Sequence, residues 1–220
     1  MVHIFVETNW VVDCCAPAHN QVLAAADLIG RAAGNEIQLH LPAICLTEAR
    51  HPLNQKFQTR LECERVRRYV TWALGQNRVR TEDATTVRNF IEQMEDAVRN
   101  ELRAMEQTLR QLAASPGLQV MPYDAAMMER SLEYGFVLPE LKPYDQAVLA
   151  SVIVGAERLL QAGEREMFFS ELDSDLQPWD RNGERLERLA TIYDDANVWV
   201  SGDYLLQSPP APEGWHTRRR

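Results

Sequence analysis

The sequence lacks several features that would assign it to a common functional class. Its longest predominantly apolar stretch runs from Ala147 to Ile153, which is too short to cross a bilayer. There is no glycine-rich phosphate-binding loop, which argues against nucleotide hydrolysis of the P-loop kind. The first apolar run ends in Glu7-Thr8-Asn9 rather than in an Asp-x-Asp motif, which argues against a phosphatase that forms an aspartyl-phosphate.

Residues that bind soft metals are also scarce. None of the five histidines falls at a metal-ligand spacing, and the four cysteines form no CxxC pair. We expect the cysteines to be buried free thiols, which fits a reducing compartment. The first residues carry no basic segment, and Glu7 interrupts the apolar run, so no secretory signal is expected. These observations together predict a cytoplasmic protein without a membrane span. The cysteines are Cys14, Cys15, Cys45 and Cys63.

Length and composition predict one globular domain. The 220 residues are 45% hydrophobic and 25% charged, which is typical of a protein with a packed core. We expect a single domain over 1–205, a helical hairpin inserted at about 53–115, and a flexible tail at 206–220, where prolines are frequent.

Short apolar strands alternate with helical patterns along the chain. Strands are expected at 2–6, 37–41, 118–121, 167–170 and 197–200. Helices are expected at 10–16, 20–33, 55–74, 84–113, 122–135, 143–161 and 182–192. Thr8 or Asn9 is expected to cap the first helix, and Thr47 a further helix with Glu48 in its first turn. This alternation predicts an α/β fold with a central, mainly parallel sheet and helices on both faces.

Acidic residues occupy the junctions between these elements. Glu7, Glu48, Asp145 and either Asp173 or Asp175 each follow a strand or open a helix. Helix capping explains any one of them, although Ser, Thr or Asn would cap equally well. Carboxylates that converge at one edge of a parallel sheet repel one another unless they hold protons or a cation. Because the ligands are all oxygens, we expect Mg²⁺ or Mn²⁺ and hydrolysis of a phosphodiester by a metal-activated water.

These motifs resemble those of the PIN domain nucleases. Phe5-Val6-Glu7-Thr8-Asn9 is similar to the family's opening strand and signature, Asp145 to Ala150 to its third-acid helix, and Phe168-Phe169-Ser170 with Asp173 and Asp175 to its last motif. Glu48 lies where the second acid is expected. The resemblance implies a three-layer α/β/α fold, metal-dependent RNA cleavage and, in many members, a dimer or a toxin paired with an antitoxin. It also implies that Asn9 and Ser170 orient carboxylates or water.

The predicted hairpin differs in charge from the rest of the chain. Residues 50–115 contain twelve basic and nine acidic residues, whereas the whole chain has a net charge of −9. Nearly all of these cations are arginines, whose planar guanidinium suits phosphate. We therefore expect Arg60, Arg67 and Arg68 to contact RNA, with a solvated helical face as the alternative.

The sequence thus predicts a metal-dependent endoribonuclease in which Glu7, Glu48, Asp145 and Asp173 are catalytic and bind metal, with Asp175 as a further ligand. A toxin of a toxin–antitoxin pair is one form of this hypothesis. The alternative is a catalytically weakened PIN-like module that binds RNA or protein, because Glu7 stands where the family usually has Asp.

Overall fold

The structure is a computed structural model that describes residues 1–16, 21–56 and 59–204, with the side chains of 54–62 left out of that description. Five parallel strands form one sheet in the order β3-β2-β1-β4-β5. They are β1 (Val2–Val6), β2 (Ile37–Pro42), β3 (Leu118–Met121), β4 (Glu166–Ser170) and β5 (Val198–Ser201). The predicted α/β fold with a parallel sheet is therefore confirmed.

Eight helices connect and flank these strands within the described residues. They are α1 (Thr8–Cys15), α2 (Leu23–Ala33), α3 (Ala43–Lys56), α4 (Thr59–Gly75), α5 (Thr81–Ala113), α6 (Ala125–Val137), α7 (Pro143–Gln161) and α8 (Glu187–Asp195). The full three-layer arrangement and the single-domain assignment stay predictions. The predicted tail at 206–220 lies outside the described residues.

The central strand β1 determines the positions of the neighbouring strands β2 and β4. Ile4, Phe5 and Val6 are completely buried, as expected for a strand covered on both faces. β1 pairs with β2 on one side and with β4 on the other, and Val6 is in register with Ser170. The strand order reverses between β1 and β4, which is the place where open parallel sheets form a crevice outside their carboxyl ends.

Several predicted helix starts differ from the structure, and for two of them the local reason is clear. α3 begins at Ala43, directly after β2, so Thr47 and Glu48 lie in its second turn rather than at its cap. α8 begins at Glu187 instead of residue 182, because the Asp180 carboxylate accepts hydrogen bonds from the main-chain nitrogens of Asn182 and Glu184 and holds that segment in a turn.

The predicted hairpin is present as α4 and α5, which pack side by side. α5 has 33 residues, and at about 1.5 Å per residue it is about 50 Å long. Its last third is anchored in the body of the protein, where Met105, Leu109 and Leu112 are buried in the core. The hairpin therefore extends from the sheet domain while remaining packed against it at its base.

All four cysteines are buried and free, as predicted. Among the described residues, no helix is both long enough and apolar enough to span a membrane.

Close packing of α7 on the sheet predicts a strong effect of substitution at Gly155. A Cβ atom at this position would lie 2.9 Å from Phe5 Cε1 and 3.1 Å from Met121 Sδ. Gly155→Val should therefore lower the free energy of unfolding by about 1 to 3 kcal/mol through overpacking. Urea denaturation measures this change.

Gly30→Ala provides the matched control, because a Cβ at Gly30 in α2 would meet nothing within 4 Å. Because alanine has a higher helix propensity than glycine, this variant should have a free energy of unfolding higher by about 0.5 to 1 kcal/mol. Equal stability of the two variants would contradict the close approach of α7 to β1.

Candidate active site

A cavity of about 150 Å³ lies at the carboxyl ends of β1 and β4. Five carboxylates line it, together with Thr8, Asn9 and Tyr144. The five are Glu7, Glu48, Asp145, Glu171 and Asp173. The structure thus brings together the four acids predicted as catalytic and adds Glu171, which the sequence analysis did not single out.

Glu7 follows β1 and is itself the cap of α1. Its backbone is extended, and its Oε2 accepts a hydrogen bond of 2.7 Å from the main-chain nitrogen of Asn9. Thr8 and Asn9, the predicted caps, therefore belong to the first turn instead. The side chain is buried, and Oε1 has no hydrogen-bond partner. Burial, with a smaller contribution from the charges of Asp173 and Glu48, raises the pKa of Glu7 to about 8.

Glu171 occupies the equivalent position after β4. Because Val6 pairs with Ser170, the next residues of the two strands leave the sheet side by side, at a strand spacing of about 4.8 Å. Glu171 is fully buried, its Oε1 accepts a 2.7 Å hydrogen bond from the nitrogen of Asp173, and its Oε2 has no partner. Burial, followed by the charge of Glu7, raises the pKa of Glu171 well above its ordinary value.

The rule that pointed to Glu7 applies equally to Glu171. Both are acids placed directly after a buried apolar strand. The family-like spacing drew attention to Asp173 and Asp175 instead.

Glu48 reaches the cavity from α3 and is held by the Thr8 hydroxyl, which is in turn in contact with the Tyr144 hydroxyl. Thr8 Oγ1 donates a short hydrogen bond to Glu48 Oε2, and the Tyr144 hydroxyl lies 3.1 Å from Thr8 Oγ1. Burial raises the pKa of Tyr144 well above its ordinary value, so this phenol stays protonated. Thr8 and Tyr144 thus fix the orientation of the Glu48 carboxylate, a role that the sequence analysis did not assign to either residue.

Asp145 lies in the first turn of α7, where Pro143 starts the helix. Its Oδ2 is buried without a hydrogen-bond partner. The pKa of Asp145 is raised overall. Burial is the largest cause, the charge of Lys142 opposes it, and the charges of the neighbouring carboxylates add to it. Counting only the part of the chain that the structure describes, the cavity contains three carboxylate oxygens without a hydrogen-bond partner, on Glu7, Asp145 and Glu171.

Three other predicted residues have different positions. The Asp175 carboxylate pairs with Lys142 Nζ at 2.9 Å and lies outside the cavity, so Asp173 is the acid of this loop that reaches it. The Ser170 hydroxyl donates to the main-chain oxygen of Asp203, and within the described residues it makes no hydrogen bond to a carboxylate. Asn9 lines the cavity and supports Glu7 through its main-chain nitrogen.

Of the predicted RNA-binding arginines, Arg67 and Arg68 do not line this cavity. Arg67 Nη2 pairs with Glu95 Oε2 at 2.8 Å, and Arg68 is exposed on α4. The side chain of Arg60 lies outside the described residues.

The carboxylate oxygens are the donor type that Mg²⁺ and Mn²⁺ prefer, and the three unpartnered oxygens could accept such an ion. Within the described ranges, however, no three histidine, cysteine or carboxylate side chains already form a group that could hold a metal. Holding an ion would require the carboxylates to turn toward one another.

Comparisons with protein-family models, with curated proteins and with solved structures gave no match. The similarity to PIN domains therefore rests on the motifs alone and remains a hypothesis.

The buried carboxylates predict an unusual dependence of stability on pH. Between pH 4.5 and about 8, folded Glu7 keeps a proton that the unfolded chain has released, so stability should fall as pH rises through this range. In buffer containing EDTA, Glu7 alone should make the free energy of unfolding lower at pH 8 than at pH 5.5 by about 2 to 3 kcal/mol.

Glu7→Gln should make this dependence less steep because residue 7 no longer ionises, whereas Glu171, whose pKa burial also raises, keeps its own contribution. Asp175→Asn, at an acid that pairs with Lys142 outside the cavity, is the control and should leave the dependence unchanged. Urea denaturation at both pH values measures all three proteins. The same slope in wild type and Glu7→Gln would show that Glu7 does not carry the effect.

Proposed function

We propose that this protein is a metal-dependent nuclease that hydrolyses phosphodiester bonds of RNA in the cavity at the carboxyl ends of β1 and β4. The observation that supports it most is the set of unpartnered oxygens on Glu7, Asp145 and Glu171, three acids that line one cavity. Helix capping accounts for Glu7 Oε2, and a turn accounts for Glu171 Oε1, but the second oxygen of each carboxylate stays buried at a free-energy cost.

The donor set assigns a role to each side chain. Glu7, Asp145 and Glu171 would hold Mg²⁺ or Mn²⁺, and Glu48 and Asp173 would complete its surroundings. A bound ion of this kind supplies an activated water and neutralises charge on the phosphate. Thr8 and Tyr144 keep Glu48 oriented, and Asn9 keeps one oxygen of Glu7 engaged so that the other is left for the cavity.

The choice of RNA as substrate rests on two observations. One is the similarity of the motifs to PIN nucleases. The other is the arginine-rich segment at 50–115, which is positively charged in an otherwise acidic chain. A chain with a net charge of −9 is repelled by a phosphate backbone except where basic residues are concentrated.

A binding module without catalysis is the second candidate. It is favoured by the absence of a preformed metal group among the described residues and by the longer side chain of Glu7 in place of Asp. Calorimetry distinguishes the two functions. Binding of Mn²⁺ by the wild-type protein supports the nuclease, and RNA binding without any uptake of Mn²⁺ supports the module.

Substitution of the cavity acids tests the nuclease directly. Asp145→Asn and Glu7→Gln should each reduce Mn²⁺-dependent cleavage of a labelled single-stranded RNA by about 100-fold or more, equivalent to about 2.7 kcal/mol of transition-state stabilisation. These changes keep the shape of each side chain and remove its charge. Single-turnover cleavage assays measure the rates.

Asp175→Asn is again the matched control, because Asp175 shares the loop of Asp173 but pairs with Lys142 outside the cavity. Its cleavage rate should stay within about threefold of wild type. A reduction in Asp175→Asn as large as that in Asp145→Asn, or wild-type cleavage that continues in EDTA, would contradict the assignment.

A further inference from the structure

A second cavity, of about 420 Å³, lies between α3 and the base of the hairpin. Its floor is apolar and includes Leu53, Met105 and Leu109, all of which are buried. Among the described residues, three guanidinium groups surround it, those of Arg50, Arg99 and Arg103. This volume lies within the range of sites that bind small molecules.

The electrostatic balance of this cavity favours an anion. Glu106 also lines it, but its Oε1 is 2.8 Å from Arg110 and 3.7 Å from Arg50, so that carboxylate is neutralised by neighbouring cations. Arg99 pairs with Asp96 at 3.2 Å in a solvent-exposed ion pair, which contributes little and can be exchanged for a phosphate. Among the described residues, no carboxylate forms an ion pair with Arg103.

Helix α3 connects this cavity to the acidic one. Glu48 and Pro52, one turn apart, line the acidic cavity, whereas Arg50 and Leu53 line the basic one. The two cavities thus flank a single helix with a diameter of about 10 Å. A strand of RNA that crosses α3 would have nucleotides in both.

We propose that the basic cavity binds one nucleotide of the RNA substrate, with the base on the apolar floor and the phosphate at Arg99 and Arg103. This proposal rests on the proposed function, because the nucleotide belongs to the strand that enters the acidic cavity. An acidic peptide would also match the arginines, but the apolar floor and the neighbouring carboxylate cavity favour a nucleic acid.

This location differs from the one that the sequence predicted. Arg67 contacts Glu95, eight residues before Arg103 on α5, which places it about 12 Å farther toward the free end of the hairpin. Its guanidinium is already occupied by that carboxylate. Arg50, Arg99 and Arg103 belong to the same arginine-rich segment but lie next to the acidic cavity.

Binding of a short fluorescein-labelled single-stranded RNA, measured by anisotropy in EDTA, tests the proposal without any cleavage. Arg99→Gln combined with Arg103→Gln should weaken binding about tenfold. The slope of the logarithm of the RNA-binding constant against the logarithm of the salt concentration should become shallower by about 0.7 for each phosphate that the variant no longer neutralises. Arg80→Gln is the matched control, since Arg80 is an exposed arginine of the same hairpin, at the start of α5 and away from its base, and it should change affinity by less than about twofold.

A second variant tests the floor separately from the charge. Leu102→Trp would fill the cavity from α5, where Leu102 is partly buried, and should weaken RNA binding while leaving the salt dependence unchanged. Thermal denaturation verifies that each variant is folded. An unchanged affinity in both the arginine pair and Leu102→Trp would overturn the proposal, as would an equally large decrease in Arg80→Gln.

The remaining outcomes separate this site from the nuclease. Efficient competition by polyglutamate, at the same charge concentration as RNA, would overturn the nucleotide assignment in favour of an acidic protein partner. If the Arg99 and Arg103 variant cleaves RNA normally and binds it with unchanged affinity, the nucleotide site is wrong and the nuclease proposal is unaffected. If the wild-type protein never cleaves RNA but that variant binds RNA more weakly than the wild type does, the nucleotide site is supported and the nuclease is rejected.

Discussion

The pairing of β1 with β4 is the constraint on which the rest of the candidate site depends. Because Val6 is in register with Ser170, the chain places Glu7 and Glu171 next to each other in a region with little access to water. Two adjacent buried carboxylates cannot both be charged without a large cost in free energy. The surrounding core, including Phe169 and Trp10, must be stable enough to hold them there.

Neutral residues would satisfy the same main-chain groups at a lower cost in free energy. The nitrogen of Asn9 needs one acceptor, and so does the nitrogen of Asp173, and a serine or asparagine could supply either. A carboxylate adds a second oxygen and a charge that the fold does not use. This excess is understandable where a cation or a proton is part of the function, and it links the packing of the sheet to the proposed chemistry.

The sequence predicted the sheet better than it predicted the site. The five strands were recognisable because Val, Ile, Leu and Phe runs are short and bounded by polar residues, and all five occur within a few residues of their expected positions. The start of α3 could not be predicted, because the chain passes from Pro42 into a helix without a loop and no capping residue marks the change. The reasoning that identified Glu7 could also have identified Glu171. Only the register of β4 with β1, however, shows that Glu171 lies next to Glu7. Most of the other differences between the predicted and the observed site depend on side-chain partners that the sequence does not reveal. The position of Lys142, for example, decides that Asp175 rather than Asp173 forms an ion pair with it at the surface.

Helix α3 gives the proposed function a consistent geometry. Its residues alternate between the two cavities, so that Glu48 lines a cluster of carboxylates while Arg50 lines a cluster of guanidinium groups. An RNA strand approaching this acidic protein would be attracted to the arginine-rich hairpin, and the buried anchoring of α5 at Met105 and Leu109 would place that attraction beside α3 rather than at the hairpin's free end. The arginines would thus offset the repulsion that the acids exert on a phosphate backbone. The hairpin would then direct the substrate, and the edge of the sheet would carry out the chemistry.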